Sequence, residues 1–360
     1  ASLPEALRQA GEWELEHAAN AKASREAPYP AKAQEAVSLD SVADASSCIA
    51  QWKEYKETRL VSLQWLAEAC GVAEVVAKDE SDRCGLTSFK ALGGGLVVED
   101  CVKKAVAEGR PAAEVTVATA SAGNHGMGVA WGARRCGCRA VIYLGERVSE
   151  QIAEKMRGIG ATVKRVSGSY EESLNAAKVD SEANGWHLVQ DVSWDGYVSI
   201  PARISSGYGV VAAELVDQFA KRPGGPPTHV LVNAGVGGFA CGLCGYLWHK
   251  LGAARPRFMC VEPTAAPCVQ HCSRTDGELT LPPNGLSTLQ VGLDCRAVSP
   301  IAWSILEMGV DDFVAVPDTA IGICMRLLAE NEEPVVAGES GVAGLAVLLA
   351  AAARPELREK

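Results

Sequence analysis

The sequence predicts an α/β protein whose open, mostly parallel sheets are flanked by helices. From about Leu60 onward, strand-like and helix-like segments alternate, and glycine-rich loops stand at several of the transitions. Hydrophobic residues make up 48% of the 360 residues and charged residues 22%, which is typical of a globular protein. This length is enough for one large or two medium-sized domains.

The composition argues against several classes of partner. The formal net charge is -10 and no block of Lys or Arg stands out, which disfavours nucleic acid and anionic membranes. No apolar run reaches the ~18 residues of a membrane span, so no membrane insertion is predicted. The 13 cysteines are scattered and odd in number, which favours a reducing compartment. That compartment is the cytoplasm, or a mitochondrial or plastid matrix if a transit peptide preceded Ala1.

Hydrophobic periodicity assigns the individual elements. Strands are predicted at "VTVATA", "RAVIYLGE", "ATVKRVSG" and "WHLVQDV", with helices such as "SEQIAEKMRGIG" and "YEESLNAAKVDSEANG" between them. Further along, "THVLVNAGVGGFACGLCGYLWHKLG" repeats the order strand, glycine loop, helix. The first 47 residues are predicted to form a helix and an irregular arm. Strands alternating with helices of this size indicate parallel sheets covered on both faces.

A lysine stands beside three consecutive glycines in "SFKALGGG". Lys90 begins a predicted helix, where the positive end of the helix dipole disfavours its ammonium. A neutral amine is what a Schiff-base lysine requires. Taken alone, the stretch is more typical of a solvated lysine at a helix start.

The second stretch, "ASAGNHGMG", joins a strand to a helix. Its small residues allow a ligand close to the backbone, and the N–H groups of Ser121, Ala122, Gly123 and Asn124 can form a nest for a carboxylate. The amide of Asn124 can donate to a ring hydroxyl. The alternative is a glycine turn with a helix N-cap, and His125 by itself is more typical of a packed histidine.

The third stretch, "NAGVGGFACG", follows a predicted strand and opens a helix. A phosphate can therefore bind free backbone N–H groups of this stretch, which runs from Asn233 to Gly242 and includes Ala234, Gly235, Val236, Gly237 and Gly238. The stretch also satisfies the pattern G-x-G-x-x-A, and Glu262 ends the next strand about 20 residues later, as in a dinucleotide fingerprint. An NAD-dependent oxidoreductase is therefore a competing hypothesis at this point.

The fourth stretch, "QDVSWDGY", places two carboxylates after a predicted strand. Asp191 at a strand end is a candidate acid or base, whereas Asp195 is more typical of a loop residue that caps the next helix. A single CxxC pair, Cys241 and Cys244, lies on a predicted helix without a second pair. These two cysteines are predicted to lie in the core, and no metal site is predicted.

In this order, the four stretches resemble the fold-type II pyridoxal-phosphate enzymes. The resemblance is greatest to the diaminopropionate ammonia-lyase family, which is related to the serine/threonine dehydratases. It runs from about Tyr55 to the C-terminus and includes "AKDES", "GNHGMGVAW", "VQDVSWDGYVSIPARISSGY", "THVLVNAGVGG" and "GESGVAGLAVL". It implies a tryptophan synthase β-like fold. It also displaces the dinucleotide interpretation, because the Glu262 strand is merely structural in this family.

The resemblance implies a role for each candidate residue. Lys90 would bond covalently to pyridoxal 5'-phosphate and return as a base at the substrate Cα. Asn124 would bind the ring hydroxyl, and the loop from Ala234 to Gly238 would hold the phosphate. The loop from Ser121 to Asn124 would bind the substrate carboxylate, and Asp191 would contact the β-substituent.

The same resemblance implies the domain organisation and the partners. A large cofactor-binding domain would combine residues 1–95 with 206–360, and a small domain, 96–205, would be inserted into it. Such enzymes act on a small amino acid and are commonly homodimers. The implied reaction is an α,β-elimination that gives a 2-oxo acid and ammonia, on a substrate such as 2,3-diaminopropionate.

Two departures from the family pattern motivate alternative functions. The family carries an aspartate, which serves as a second base, where this chain has Ala122. The sequence "SAGNH" instead matches this loop in serine/threonine dehydratases. We therefore expect a preference for the L-enantiomer, and L-serine or L-threonine dehydration becomes an alternative. The family also continues into one more strand, whereas this sequence ends at Lys360. A catalytically impaired homologue that serves as a structural or assembly subunit is the third hypothesis.

Overall fold

Two four-stranded sheets form the framework of the protein. The computed structural model describes residues 2–281, 287–331 and 333–358. Its strands are β1 Glu16–Ala19, β2 Leu60–Ser62, β3 Val76–Lys78, β4 Thr116–Ala120, β5 Arg139–Gly145, β6 Thr162–Val166, β7 His187–Leu188, β8 His229–Asn233, β9 Arg257–Pro263 and β10 Asp312–Val316.

Helices surround these strands in the alternating order that the sequence predicted. They are α1 Leu3–Ala10, α2 Leu39–Ile49, α3 Gln64–Cys70, α4 Lys90–Ala107, α5 Asn124–Cys136, α6 Glu150–Ile159, α7 Tyr170–Asn184, α8 Ser199–Ala220, α9 Gly238–Leu251, α10 Cys268–Arg274, α11 Pro300–Gly309, α12 Asp318–Ala329, α13 Ala343–Ala353 and α14 Pro355–Arg358. None of these described helices is both long and apolar enough to cross a membrane.

The first sheet has the strand order β1-β10-β9-β8. Strands β8, β9 and β10 are parallel, and their nearly continuous apolar sequences fit a sheet that is covered on both faces. Strand β1 pairs antiparallel with β10 at the edge. The N-terminal arm is therefore not irregular throughout, as the sequence had predicted, because four of its residues complete this sheet.

The second sheet has the strand order β6-β5-β4-β7 and is parallel throughout. Its central strand, β4, is fully buried. Strand β7 is only two residues long and pairs with Val117 and Ala118 of β4. The prediction of open, mostly parallel sheets flanked by helices is confirmed.

Each sheet belongs to its own compact unit. The first unit consists of the described residues within Ala1–Leu39, Glu57–Ser81 and Val211–Lys360, and the second of Asp40–Lys56 and Asp82–Val210. Residues 40–56 and 82–95 thus group with the second unit, whereas the sequence-based division (1–95 and 206–360 against 96–205) placed them in the large domain.

Close packing of two helices explains the difference at residues 82–95. A Cβ added at Gly94 of α4 would lie 3.0 Å from the Val129 nitrogen of α5. A Cβ at Gly128 would lie 2.6 Å from the Lys90 carbonyl oxygen, and one at Gly132 would lie 2.7 Å from the Gly95 Cα. The glycines let α4 pack against α5 almost backbone to backbone, so α4 folds with the second unit.

Candidate active site

Lys90 and Asp191 form an ion pair in the second unit. The Lys90 Nζ lies 3.0 Å from Asp191 Oδ2, although 101 residues separate them in sequence. Lys90 is the first residue of α4, and its backbone N–H donates to the hydroxyl of the buried Ser88. Asp191 follows the short strand β7, so both functional groups stand at element ends. The structure thus brings together the two residues predicted to be catalytic.

Two aromatic rings flank the lysine amine. The Lys90 Nζ lies 5.6 Å from the centroid of the Phe89 ring and 5.4 Å from that of the Tyr208 ring. The two rings meet edge to face, with centroids 5.1 Å apart. Burial raises the pKa of Tyr208 to about 12. An apolar wall of this kind shields the amine from water and strengthens its attraction to the nearby carboxylate.

The Asp191 carboxyl is held ionised. Its burial opposes ionisation, but neighbouring positive charge and the hydrogen bond from Lys90 outweigh this effect and lower its pKa from 3.8 to about 2. The positive charges are those of the His125 ring in its protonated form and of the Lys90 ammonium. Burial in turn lowers the pKa of His125. With a pKa of about 2, Asp191 is an anion near neutral pH.

His125 packs against this pair. Its Nε2 lies 2.9 Å from the Val189 carbonyl oxygen, so it carries the proton and donates. The Nδ1 atom then faces Asp191 Oδ2 at 3.8 Å. The side chain is only 3% exposed. The sequence had favoured a packed histidine here, and the structure adds that it packs against the carboxylate of Asp191.

The loop predicted to bind a carboxylate leads into α5. Ser121, Ala122, Gly123 and Asn124 are each half-buried or exposed, and the Gly123 N–H donates to the Ser121 hydroxyl at 3.3 Å. A Cβ added at Gly126 would lie 2.6 Å from the Ser121 carbonyl oxygen, so the loop lies directly on the first helical turn. The first N–H groups of a helix have no partner within it and can bind an anion.

Gln190 is the residue of this site that sequence reasoning missed. Its side chain is 1% exposed and bonds to Ala120, the last residue of β4, through both its oxygen and its nitrogen. Gln190 thus connects the loop after β4 to the segment that carries Asp191. Its position next to Asp191 in "QDVSWDGY" could have indicated a role in the site. It was missed because the sequence reasoning looked for acids and bases, and a glutamine side chain is neither.

The glycine loop of the first unit lies between β8 and the 14-residue helix α9. Gly237 has a φ of 93°, a conformation that favours glycine. A Cβ added at Gly235 would lie 2.9 Å from Cys295 Sγ and 3.1 Å from the Gly292 carbonyl oxygen, so no larger residue fits. The Ala234 N–H donates to the Val261 carbonyl oxygen, so the backbone amides from Gly235 to Gly238, at the start of α9, are the donor set suited to a phosphate.

Glu262 does not match the acidic residue of a dinucleotide site. The residue is fully buried near the end of β9, and its carboxyl accepts the backbone N–H groups of Val269 and Gln270. Burial raises its pKa to about 8. A carboxyl that caps a helix inside the core cannot reach a ribose, so the NAD-dependent hypothesis loses its second element. Cys241 and Cys244 are also buried, within α9, as predicted.

Comparison with known proteins agrees with this arrangement. The family model described as "Pyridoxal-phosphate dependent enzyme" matches residues 52–360. Diaminopropionate ammonia-lyase of Escherichia coli K12 is 33% identical over 321 residues, which cover 84% of this chain and 79% of that protein. The chain belongs to the pyridoxal-phosphate-dependent enzymes of the diaminopropionate ammonia-lyase family. Biosynthetic L-threonine dehydratase of the same organism is 26% identical over 81% of this chain and 52% of its own length.

Solved structures of the family have the same fold. Two crystal structures of Escherichia coli diaminopropionate ammonia-lyase, one in complex with D-serine and one with an aminoacrylate-PLP azomethine reaction intermediate, each superpose with a TM-score of 0.85. Each is 29% identical to this chain and covers 96% of it and 89% of the lyase chain. The fold-type II assignment made from the sequence is confirmed.

The residues present fit the family's cofactor. A lysine amine stands at a helix start between two aromatic rings, as attachment of an aldehyde requires. In the first unit, glycine-lined amides at the start of α9 suit the cofactor phosphate. The three consecutive glycines after Lys90 have a different role: Gly93 packs against Ile204 and Tyr208, and Gly95 against Trp131. These glycines let neighbouring helices pack closely together.

Proposed function

We propose that the protein is a pyridoxal-phosphate-dependent ammonia-lyase that performs α,β-elimination on a small amino acid such as 2,3-diaminopropionate, with a 2-oxo acid and ammonia as products. The observation that carries the proposal is the pair of Lys90 with an ionised Asp191 at 3.0 Å. The bound cofactor supplies an electron sink for the Cα carbanion. Everything else must come from side chains and backbone groups of this chain.

Lys90 would hold the cofactor and then remove the proton from the substrate Cα. The rings of Phe89 and Tyr208 restrict the amine to a small region, so it can return to the same place after transimination. Ser121, Ala122, Gly123 and Asn124 would bind the substrate carboxylate through backbone N–H groups. Asn124 would also contact the cofactor ring, and the loop from Ala234 to Gly238 would hold its phosphate.

Asp191 favours a diamino acid over a hydroxy amino acid. With a pKa of about 2, its carboxylate is an anion and can bind the ammonium at the β-carbon of 2,3-diaminopropionate. An ammonium leaves as neutral ammonia and needs no added proton. A hydroxyl leaves as water only if it receives a proton, and an ionised Asp191 has none to give.

L-serine or L-threonine dehydration is the second candidate, and Ala122 is the observation that favours it. The side chain of Ala122 is exposed in the loop before α5 and has no acid or base group. Lys90 would then be the sole base at Cα, on one face of the substrate. The third hypothesis, a structural or assembly subunit, requires no lysine–carboxylate pair. We also propose a homodimer in a reducing compartment, cytoplasm or organelle matrix.

Cofactor uptake and ammonia release test these candidates together. The protein is incubated with pyridoxal phosphate and desalted, and visible absorbance reports covalent attachment. Ammonia release is then measured with L-serine, L-threonine and both enantiomers of 2,3-diaminopropionate. We expect release from L-2,3-diaminopropionate at the highest kcat/KM. A colourless protein that releases no ammonia would support the subunit hypothesis instead.

Substitution of Ala122 by aspartate tests the role of the missing second base. We expect Ala122→Asp to raise kcat/KM for D-2,3-diaminopropionate by at least about tenfold, because a general base contributes ~10²–10⁴-fold when well placed. The L-enantiomer should change less. Ala122→Asn is the matched control, since it adds the same volume without a base. Rapid turnover of the D-enantiomer by the unmodified protein would refute this account of Ala122.

A further inference from the structure

The amide of Gln190 makes four hydrogen bonds inside the second unit. Its Oε1 accepts the Thr119 hydroxyl at 2.8 Å and the Ala120 N–H at 3.2 Å. Its Nε2 donates to the Ala120 carbonyl oxygen at 3.0 Å and to the Tyr170 hydroxyl at 2.7 Å. Both ends of the side-chain amide are thus satisfied, which is how a neighbouring strand would satisfy the backbone of Ala120.

The sheet explains why Ala120 needs such a partner. Alternate residues of a strand direct their backbone N–H and C=O groups to the same side. The carbonyl of Ala118 accepts the Val189 N–H at 2.8 Å, so Ala118 and Ala120 both face the side of β7. Strand β7 ends at Leu188 and is too short to pair with Ala120. The side-chain amide of Gln190 makes the two hydrogen bonds to Ala120 that the backbone of a longer strand would have made.

This replacement frees the main chain to turn toward Lys90. The Gln190 backbone N–H donates to the Tyr197 hydroxyl at 2.9 Å, and that hydroxyl donates to the Leu188 carbonyl oxygen. The Tyr197 ring stacks on Trp194 with centroids 4.1 Å apart, and Lys178 Nζ lies 3.6 Å from the Trp194 centroid. Asp191 leaves the sheet at this anchored turn.

We propose that Gln190 is a positioning residue that sets two parts of the site at once, the loop from Ser121 to Asn124 and the carboxylate of Asp191. The inference rests on the proposed function for its kinetic consequence. If the backbone of β7 continued and paired with Ala120, residue 191 would lie alongside β4. Because the Gln190 side chain makes these hydrogen bonds instead, the end of β4 is fixed while the main chain at Asp191 leaves the sheet.

Gln190→Met tests the inference, because methionine is close in volume and makes none of the four bonds. The control is Gln270→Met in the first unit. Gln270 is also fully buried, and its Nε2 donates to the carbonyl oxygens of Glu16 and Phe313. Both holoenzymes should lose thermal stability to a similar degree. Only Gln190→Met should raise KM for the amino acid, by at least about tenfold, as expected when an anchoring site is displaced by ~1 Å.

Hydrogen–deuterium exchange gives a readout that does not depend on activity. In Gln190→Met, amide exchange should accelerate both at 120–124 and at 190–197, whereas Gln270→Met should leave both segments unchanged. Partial rescue is expected in Gln190→Glu, whose carboxylate still accepts from Thr119 and Ala120. Faster exchange at both segments in a protein that releases no ammonia would uphold the positioning role and refute the proposed function.

Equal exchange and equal kinetics in the two methionine variants would overturn the inference. So would faster exchange at only one of the two segments, because the proposal requires that one side chain hold both. A rise in KM in the Gln270→Met control, matching that in Gln190→Met, would likewise assign the kinetic effect to general destabilisation.

Discussion

Asp191 and Glu262 are carboxyls near the ends of parallel strands, one in each unit, and they differ in charge. Asp191 is half-buried and Glu262 is fully buried. Asp191 lies beside the ammonium of Lys90, and its pKa is about 2. Glu262 accepts two backbone N–H groups, and burial raises its pKa to about 8. Among the described residues, the groups that shift the Glu262 pKa are backbone amides and the Cys268 thiol, and neither is a cation.

The difference shows what decides the ionisation of a buried carboxyl in this fold. Hydrogen bonds from neutral groups are present at Glu262 and do not keep it charged. At Asp191, the positive charges of His125 and Lys90 and the hydrogen bond from the Lys90 ammonium at 3.0 Å keep the carboxyl ionised. An anionic Asp191 is suited to the proposed binding of a cationic leaving group, whereas Glu262 caps α10. The positively charged neighbours, and not the carboxyl itself, make this difference.

Removal of the Lys90 ammonium should have the largest effect. In Lys90→Met, ammonia release should fall by at least about 10³-fold and the visible absorbance of the bound cofactor should disappear, since both need the amine. An unpaired buried carboxylate also costs about 3–5 kcal/mol of stability. We expect this loss to be recovered as the pH falls, because Asp191 would then titrate like Glu262 and take up a proton in the folded state.

The wild-type protein provides the opposite slope. The folded-state pKa of Asp191 lies below its ordinary value of 3.8, so its contribution to stability is present above about pH 4 and is lost as the pH falls toward 2. Denaturant unfolding between pH 2 and pH 7 measures both slopes. Lys103→Met, at an exposed lysine of α4, is the control. Parallel pH profiles for wild type and Lys90→Met would contradict the comparison.

Replacement of the Asp191 carboxylate by a neutral amide should have the next largest effect on activity. Asp191→Asn keeps the shape of the side chain and should retain the bound cofactor. We expect kcat/KM for 2,3-diaminopropionate to fall by about 10²–10³-fold, within the range of acid–base and charge contributions. The loss with L-serine should be smaller, because a hydroxyl carries no charge for Asp191 to bind. Equal losses on the two substrates would refute the assigned role.

Substitution of Glu262 should have the smallest effect, and we expect it only in the pH dependence of the free energy of unfolding. Glu262 keeps its proton in the folded state up to about pH 8, whereas in the unfolded chain it ionises near 4.5. Its contribution therefore lowers stability as the pH rises from about 4.5 to 8, by up to about 1.4 kcal/mol per pH unit. Glu262→Gln should flatten this slope without a change in kcat. An unchanged slope in denaturant unfolding would show that Glu262 is ionised.

Much of the fold and of the site follows from local sequence. The alternation of apolar strands with helices predicted the parallel sheets, and the glycine loops marked where strands give way to helices. Lys90, Asp191, Asn124 and the loop from Ala234 to Gly238 were candidates because each sits in a short stretch with distinctive residue types, and the resemblance to the family gave each of them a predicted role. The edge strand β1 was missed, since its sequence "EHAA" has no β-branched or aromatic residue and pairs only because β10 is there to receive it.

The amino-acid sequence by itself determined which residue types stand at the element ends. Only the tertiary structure decided their charges and their partners. The hydrogen bond of His125, the anionic state of Asp191 and the hydrogen bonds made by the Gln190 side chain each depend on groups that lie 64 to 101 residues away in sequence. Burial and a nearby charge set a pKa, and a missing strand residue creates the need for a side-chain amide. Periodicity and motifs describe neighbours along the chain and do not contain these contacts.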